Sequence, residues 1–370
     1  MKNYGVSINF FPSDFICYNE VNPNQKLNDI VVHNLTITNR NSAEITVNNV
    51  VIEVLDNIRK VLGPERINQL AKARKQSEER GELDLLLLDR ITENKGKLGS
   101  TNVLQPGEML WFPPQYIAFS GVAEKVVLQA QVTGNEFGTE LVTKVVPVRH
   151  WLNETSFIFP VSGTWFVPWG TDAEGHHRWL YSTEFAFDLV RIGPNGLSFK
   201  GDPSVLTNHF SYGEPVLAVA SGEVVRVVEG VSDEYARNWS SGEEVHSYIS
   251  EMIQARIKLM KADPHDGNVG GNAVVIHHTA KEYSQYYHLK NGSITVKEGD
   301  YVTQGQKIGE IGNGGLSLGP HLHFQLTDGL DLDYARSLPI LFSNLRGRWL
   351  DEIKTPLRTG MIVTTTKSHI

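Results

Sequence analysis

Two histidines separated by a single leucine follow a Gly-Pro turn in the stretch GLSLGPHLHFQL, residues 315–326. In an extended chain, residues i and i+2 project from the same face. The side chains of His321 and His323 would therefore point one way, and those of Leu322 and Phe324 the other. Two imidazoles on one face suit a metal site or a proton-transfer site. A His-x-His pair on a wet strand face is the simpler alternative, because short motifs often arise by chance.

A carboxylate and further histidines stand close to strand ends elsewhere in the chain. Asp188 follows the apolar run EFAF, where a carboxylate costs free energy unless it is paired or bound to a cation. His176 and His177 precede it by about a dozen residues, and His288 ends the run SQYYH. A zinc site that performs chemistry offers three protein ligands and keeps a fourth position for water. The combination of one carboxylate with several histidines favours such a site.

The composition narrows the class of protein. The chain has 370 residues, a hydrophobic content of 40% and a formal charge of -8, so it has no electrostatic reason to bind nucleic acid or an anionic membrane. Cys17 is its one cysteine, which excludes an intrachain disulfide and a cysteine-based zinc cluster. No apolar run approaches the roughly 20 residues that span a bilayer. The N-terminus lacks a signal-peptide pattern, so we expect a cytoplasmic protein, or one exported with a leader outside this sequence.

The elements that position these residues are expected to form two mainly β domains, since the chain is too long for one hydrophobic core. Short alternating runs such as EITVNNVVIEVLD recur between turn signals and predict an immunoglobulin-like β-sandwich over residues 1–150. Helix formers near residues 64–92 predict a helical insertion in it. Residues 151–370 would form a second β domain, with another helical insertion near residues 231–271, where apolar residues recur at helical spacing.

The second domain contains the run GEPVLAVASGEVVRVVEG, followed by NAVVIHHTAKEYSQYYHLKNGSITVKEGDYVTQGQKIGEIGNGGLSLGPHLHFQL. These runs, in this order, closely resemble the lysostaphin-like, or beta-lytic, zinc metallopeptidases, which cut peptide cross-bridges in bacterial cell walls. The resemblance covers about residues 160–330. It implies that residues 151–370 form an antiparallel β metallopeptidase domain and that residues 1–150 are an accessory domain.

The resemblance also implies a role for each histidine. It places one Zn²⁺ per chain on His177, Asp188 and His323, and it makes His288 and His321 the two catalytic histidines that do not bind metal. In the compact form of the family the first histidine and the aspartate are closer together than they are here. The wider spacing leaves His176 as an alternative first ligand.

The function implied by the resemblance is a zinc-dependent endopeptidase that hydrolyses peptide bonds in peptidoglycan cross-bridges or stem peptides with a metal-activated water. One alternative is a non-catalytic wall-binding or activator protein on the same fold, although this chain has a candidate at every motif position. Another is a carrier or phosphotransfer domain, which also uses paired histidines but leaves Asp188 beside the His-Leu-His motif without a purpose. Bound zinc distinguishes these readings.

Overall fold

The alternating apolar pattern of the chain produces a mainly β protein, which confirms the predicted fold class. The computed structural model describes residues 5–18, 27–55, 58–80, 97–171, 176–233, 270–279, 281–317, 319–330, 335–347, 353 and 356–366, with the side chains of residues 18, 27 and 176 excepted. The chain divides into two compact units, Met1–Trp151 and Leu152–Ile370. In the described part of the chain, no helix is both long and apolar enough to cross a membrane.

The described part of the first unit contains twelve strands and one α-helix. They are β1 (Val6–Phe11), β2 (Phe15–Tyr18), β3 (Leu27–Val32), β4 (Asn34–Asn39), β5 (Ile45–Leu55), β6 (Ile58–Leu62), α1 (Pro64–Glu79), β7 (Lys97–Leu98), β8 (Val103–Leu104), β9 (Glu108–Phe112), β10 (Gln115–Ser120), β11 (Lys125–Gly134) and β12 (Gly138–Trp151). The sheets have the orders β1-β4-β9-β7, β10-β3 and β2-β12-β11-β5-β6. Their apolar faces share one hydrophobic core, as in a sandwich.

Strand β5 shows how the sequence pattern sets the pairing. Its apolar residues alternate up to Val47, break at the Asn48-Asn49 step and alternate again from Val50. The ladder with β11 has a bulge at this step. Because a bulge adds one residue to a strand, the apolar residues on both sides of it face the same core.

The predicted first helical insertion corresponds in its described part to α1. Pro64 occupies the first turn, where proline loses no hydrogen bond. The helix buries Ile67, Leu70 and Ala71. The Arg74 guanidinium lies 4.4 Å from the centre of the Trp111 ring, so the helix is fastened to the sheet by apolar and cation–π contacts. The rest of the predicted insertion, residues 81–92, lies outside the described residues.

The described part of the second unit contains twelve strands and two short 3₁₀ segments, His176–Trp179 and Leu206–Asn208. The strands are β13 (Thr164–Phe166), β14 (Phe187–Leu189), β15 (Pro215–Leu217), β16 (Gly222–Val228), β17 (Asn272–Thr279), β18 (Glu282–Leu289), β19 (Tyr301–Val302), β20 (Lys307–Glu310), β21 (Leu322–Thr327), β22 (Ser337–Leu338), β23 (Leu345–Gly347) and β24 (Ile362–Thr365). The main sheet has the order β14-β21-β18-β17-β16-β19, with all neighbours antiparallel. It carries His288 on β18 and His323 on β21.

Two segments of this unit bear on the sequence-based expectations, residues 182–190 and residues 231–271. The run STEFAFDLV reads as one strand from its composition, but residues 181–185 form turns and only Phe187–Leu189 are extended. The turns are stabilised by local hydrogen bonds, including those from the amides of Thr183 and Ala186. Of the helical insertion predicted near residues 231–271, residues 234–269 lie outside the described residues.

Candidate metal centre

Asp188 and His323 face each other across neighbouring strands at one end of the main sheet. The two residues are directly paired in the ladder between β14 and β21, so their side chains leave the same face. The His323 Nδ1 atom lies 3.0 Å from Asp188 Oδ1. Leu322, between the two histidines, and Phe324, directly after them, are fully buried on the opposite face. This burial agrees with the extended geometry expected for the His-Leu-His segment.

His177 reaches the same carboxylate from the 3₁₀ segment. Its Nε2 atom is 3.5 Å from Asp188 Oδ1, and its ring meets that of His323 edge to face, with centroids 4.8 Å apart. The next residue, Arg178, is buried, pairs with Glu184 at 3.6 Å and donates a hydrogen bond to the carbonyl of Thr171. These buried contacts fasten the segment that carries His177. The side chain of His176 lies outside the described part of the structure.

His321 lies just before β21 and also faces Asp188. Its Nε2 atom is 3.7 Å from Asp188 Oδ1, while its Nδ1 atom is 2.8 Å from the carbonyl oxygen of Gly319. A carbonyl can only accept, so Nδ1 is the nitrogen that carries the proton in the neutral ring. The Nε2 lone pair of His321 is therefore directed into the site.

His288 enters the site because β18 is irregular at its end. In a regular strand it would face the same side as Tyr286, whose hydroxyl is buried in the core and accepts from the amide of Val219. The ladder with β17 contains a bulge here, and His288 has φ of 60°, the one positive value among the described non-glycine residues. The bulge turns the imidazole toward His321, with ring centroids 4.6 Å apart.

Three hydrogen bonds hold this strained residue. The amide of His288 donates to the carbonyl of Gly270, and its carbonyl accepts from the amide of Gly312. Its Nδ1–H donates to the carbonyl of Gly314 at 2.8 Å. A left-handed backbone costs a non-glycine residue about 1–2 kcal/mol and persists where surrounding contacts determine it. As in His321, the Nε2 atom of the neutral ring has the lone pair and does not donate a hydrogen bond.

The pKa values of Asp188 and His288 are both lowered, but for different physical reasons. Burial on its own raises the pKa of Asp188, but the charges of His177, His321 and His323 outweigh it and hold that pKa well below its usual range. Burial, together with the neighbouring His321 and His323, lowers the pKa of His288 to about 3. At neutral pH the site therefore contains an ionised carboxylate and a neutral His288.

The donor set fits a divalent cation. The ligand atoms of His177, Asp188 and His323 lie within 4.8 Å of one another. Around a tetrahedral Zn²⁺ with bonds of about 2.0–2.1 Å, two ligand atoms are separated by roughly 3.3 Å. The distances of 3.0 Å and 3.5 Å from Asp188 Oδ1 to the two histidines are close to that value. Two imidazoles and a carboxylate are also ligands that Zn²⁺ prefers.

Sequence reasoning missed the polar residues behind His323. Gln325 lies 3.3 Å from His323 Nε2 and bonds to Gln285 on the adjacent strand, and both glutamines are fully buried. The available signal was their spacing: Gln325 lies two residues after His323, and Gln285 two residues before Tyr287, on strands expected to be half-buried. Among the aromatic residues of this unit, Trp165 and Tyr286 are core residues, whereas Trp169 and Trp179 are exposed.

Comparison with known sequences connects this site to a family. Residues 238–333 match the sequence model of Peptidase family M23. A segment of 56 residues is 48% identical to the peptidoglycan DD-endopeptidase ShyA of Vibrio cholerae serotype O1, covering 15% of this chain and 13% of that protein. A further 56-residue match, 46% identical, is to an uncharacterised metalloprotease of Buchnera aphidicola and covers 15% of this chain and 14% of that protein. The matched segments thus span only a small part of these relatives.

Solved structures of peptidases give weak overlays. The catalytic domain of lysostaphin from Staphylococcus simulans shares 19% identity over 47% of this chain and 86% of that domain, with a TM-score of 0.26. At this TM-score the overlay adds no argument of its own. The M23 match contains His288, His321 and His323; β14 brings Asp188 to them, and the 3₁₀ segment brings His177. Residues 238–333 of the second unit are thus similar to Peptidase family M23, in agreement with the resemblance to the lysostaphin-like peptidases.

Proposed function

We propose that the second unit is a zinc-dependent endopeptidase that hydrolyses peptide bonds in peptidoglycan. The observation that carries the proposal is the convergence of three imidazoles on one buried carboxylate oxygen, Asp188 Oδ1, at 3.0, 3.5 and 3.7 Å. A buried anion surrounded in this way is stable when a cation neutralises it. His177, Asp188 and His323 would hold one Zn²⁺ and leave the fourth position open.

The zinc, when bound, supplies Lewis-acid chemistry: it lowers the pKa of a water molecule and polarises a carbonyl group. The protein contributes a buried site in which Asp188 is ionised and the ligand nitrogens are held by the sheet. Because β14 and β21 are directly paired at Asp188 and His323, these two donors need no rearrangement to bind the ion.

The other two histidines would move protons during hydrolysis. His321 and His288 both donate Nδ1–H to a backbone carbonyl, so each offers Nε2 to the reacting groups. His321 Nε2, 3.7 Å from Asp188 Oδ1, is placed to accept the proton of the attacking water. His288 lies beside it, and an imidazole there can stabilise the developing oxyanion or protonate the leaving amine. Positioned acid–base groups typically contribute about 10²–10⁴-fold in rate.

The substrate class is supported by the relatives. ShyA, the relative with 48% identity over 56 residues, is described as a peptidoglycan DD-endopeptidase. Peptidoglycan stem peptides and cross-bridges are therefore the substrates to test first. The bond that is cut depends on loops outside these motifs.

The proposal is tested by metal analysis of the purified protein and by digestion of purified peptidoglycan, with products identified by mass spectrometry. The wild type should contain one zinc per chain and release defined peptides. Asp188→Asn should lose the metal and the activity while remaining folded, because the amide keeps the shape but not the charge. Asp202→Asn, which removes an exposed carboxylate elsewhere in the unit, is the matched control and should retain both.

Two outcomes would contradict the proposal in different ways. Wild-type protein without zinc after purification and titration would refute the metal site. Zinc-loaded protein that binds peptidoglycan but releases no peptide would refute the peptidase and support the non-catalytic wall-binding alternative.

A further inference from the structure

A continuous chain of buried hydrogen bonds leads away from His323 through the sheet. It runs from His323 Nε2 to Gln325 Oε1 at 3.3 Å, from Gln325 Nε2 to Gln285 Oε1 at 2.7 Å and from Gln285 Nε2 to Thr327 Oγ1 at 2.9 Å. The hydroxyl of Thr327 donates to the carbonyl of Gly329 at 2.7 Å. Gln325, Gln285 and Thr327 are completely buried, so the middle of the chain is shielded from water.

The direction of the chain is determined at its far end. A carbonyl oxygen only accepts hydrogen bonds, and a hydroxyl has a single proton to donate. The carbonyl groups within reach of Thr327 Oγ1 are those of Gly329 and Tyr283, so its proton is committed to the backbone. Toward Gln285 the hydroxyl must therefore accept, and the amide nitrogen of Gln285 must be the donor. The same nitrogen also lies 3.4 Å from the carbonyl of Gly329.

The orientation of the Gln285 amide determines that of the Gln325 amide, which in turn determines the protonated nitrogen of His323. With its nitrogen committed to Thr327, Gln285 presents its oxygen to Gln325 Nε2 and to the hydroxyl of Tyr287, which donates at 2.8 Å. Gln325 must in turn present its own oxygen to His323. An oxygen there requires a proton on His323 Nε2. In a neutral imidazole the lone pair is then on Nδ1, the atom 3.0 Å from Asp188 Oδ1.

We propose that Gln325 and Gln285 are positioning residues that lock His323 in the tautomer with Nε2 protonated, so that Nδ1 is ready to bind a cation. The inference deepens the proposed function, on whose metal site it rests. The ring nitrogen that binds a metal is set by the hydrogen bond of the other nitrogen. Here that bond is made to a side chain whose own orientation is fixed by the backbone of Gly329.

Removing the acceptor should reverse the tautomer. Without Gln325 Oε1, the proton on Nε2 has no partner, whereas Asp188 still accepts a hydrogen bond from a protonated Nδ1. The ring would then favour Nδ1–H and present a proton to the position of the ion. Metal binding would require the ring to change tautomer first, which weakens the affinity.

The tautomer can be measured directly in metal-free protein by long-range ¹H–¹⁵N NMR of ¹⁵N-histidine-labelled samples, with the His323 signals assigned from a His323→Gln variant. Wild type should show a protonated Nε2. Gln325→Met, which keeps the length of the side chain and removes its oxygen, should shift His323 to the Nδ1–H form. Its Kd for Zn²⁺, measured by competition with a chelator, should rise about 10–100-fold.

Two further variants separate this effect from a loss of stability. Gln325→Glu keeps an oxygen facing His323 Nε2 but turns a second oxygen toward Gln285 Oε1, so it should retain the tautomer while unfolding at a lower temperature. Gln115→Met removes a buried amide in the first unit, where it donates to the carbonyls of Pro113 and Pro114. It should lower stability and leave both the tautomer and the zinc affinity unchanged.

A metal-free wild type with Nδ1 protonated and Nε2 unprotonated would overturn the inference, and so would a folded Gln325→Met variant with wild-type tautomer and zinc affinity. If the wild type shows protonated Nε2 but binds no Zn²⁺, the zinc site of the proposed function is refuted while the tautomer lock is supported. If Gln325→Met does not fold, the wild-type and Gln325→Glu spectra decide the matter.

Discussion

Gly271 provides a way to disturb His288 without replacing it. The residue has φ of +68°, and a Cβ atom added to it would lie 2.3 Å from the carbonyl oxygen of Gly314 and 2.4 Å from its carbon. That carbonyl accepts the Nδ1–H of His288. Ordinary contacts of a Cβ atom begin at 3.4 Å, so Gly271→Ala must displace the backbone that orients the imidazole.

The size of the effect follows from these distances. The carbonyl oxygen must move by about 1 Å, and a misplacement of that size in an active site can cost roughly 100-fold in rate. The hydrogen bond of 2.8 Å from His288 would break or carry the ring with it. Gly271→Ala should therefore retain zinc, because none of the three proposed ligands is touched, and lose most of its peptidase activity.

Gly292→Ala is the matched control. Gly292 has φ of +74° with nothing within 4 Å of the added Cβ, so it pays the left-handed backbone cost of about 1–2 kcal/mol without the collision. In a unit of this size each kcal/mol corresponds to a melting temperature lower by about 2–4 °C. Thermal unfolding, zinc content and the rate of peptide release should be measured for both. Equal rates in the two variants would show that the Gly314 carbonyl does not position His288.

Three other outcomes are expected. His321→Ala should keep near-stoichiometric zinc and lose about 100-fold or more in kcat; release of the metal would make it a ligand instead. Because burial lowers the pKa of His288 to about 3 from an ordinary 6.5, the unfolded chain binds its proton first. The free energy of unfolding of metal-free protein should thus fall by up to about 1.4 kcal/mol per pH unit as acid is added below pH 6.5, and His288→Gln should flatten that slope. Glu282→Gln removes a buried acceptor of the Glu154 and Thr155 amides and should cost about 1–3 kcal/mol in urea unfolding, whereas exposed Glu298→Gln should cost little.

Much of the fold could be predicted from side-chain periodicity. The alternation in β5 predicted a strand, and even its irregular Asn-Asn step marks the bulge opposite β11. The His-Leu-His segment predicted two imidazoles on one face, and Asp188 in an apolar run predicted a partner for the charge. Those signals are local, because the spacing of residues along one strand decides which face they occupy.

Other parts of the site depend on contacts that no local pattern contains. Position 288 looks like a core-facing residue of β18, and only the bulge and the positive φ turn it into the site. The turns at residues 181–185 contain aromatic residues typical of strands, and their hydrogen bonds override that propensity. Gln285 and Gln325 occupy adjacent strands 40 residues apart in sequence, so their pairing follows from the register of the sheet.

Three imidazoles of the site differ in which ring nitrogen forms a hydrogen bond with the surrounding protein. His288 and His321 donate Nδ1–H to the backbone carbonyls of Gly314 and Gly319, so Nε2 faces the site. His323 contacts a side-chain oxygen at Nε2, so Nδ1 faces Asp188 and the proposed cation position. A backbone carbonyl accepts from whichever nitrogen the local chain geometry brings to it, whereas the glutamine needs a second partner to fix its orientation. If the proposed function holds, the separate roles of metal-binding and proton-transferring histidines would therefore depend on their hydrogen-bond acceptors as much as on the histidines themselves.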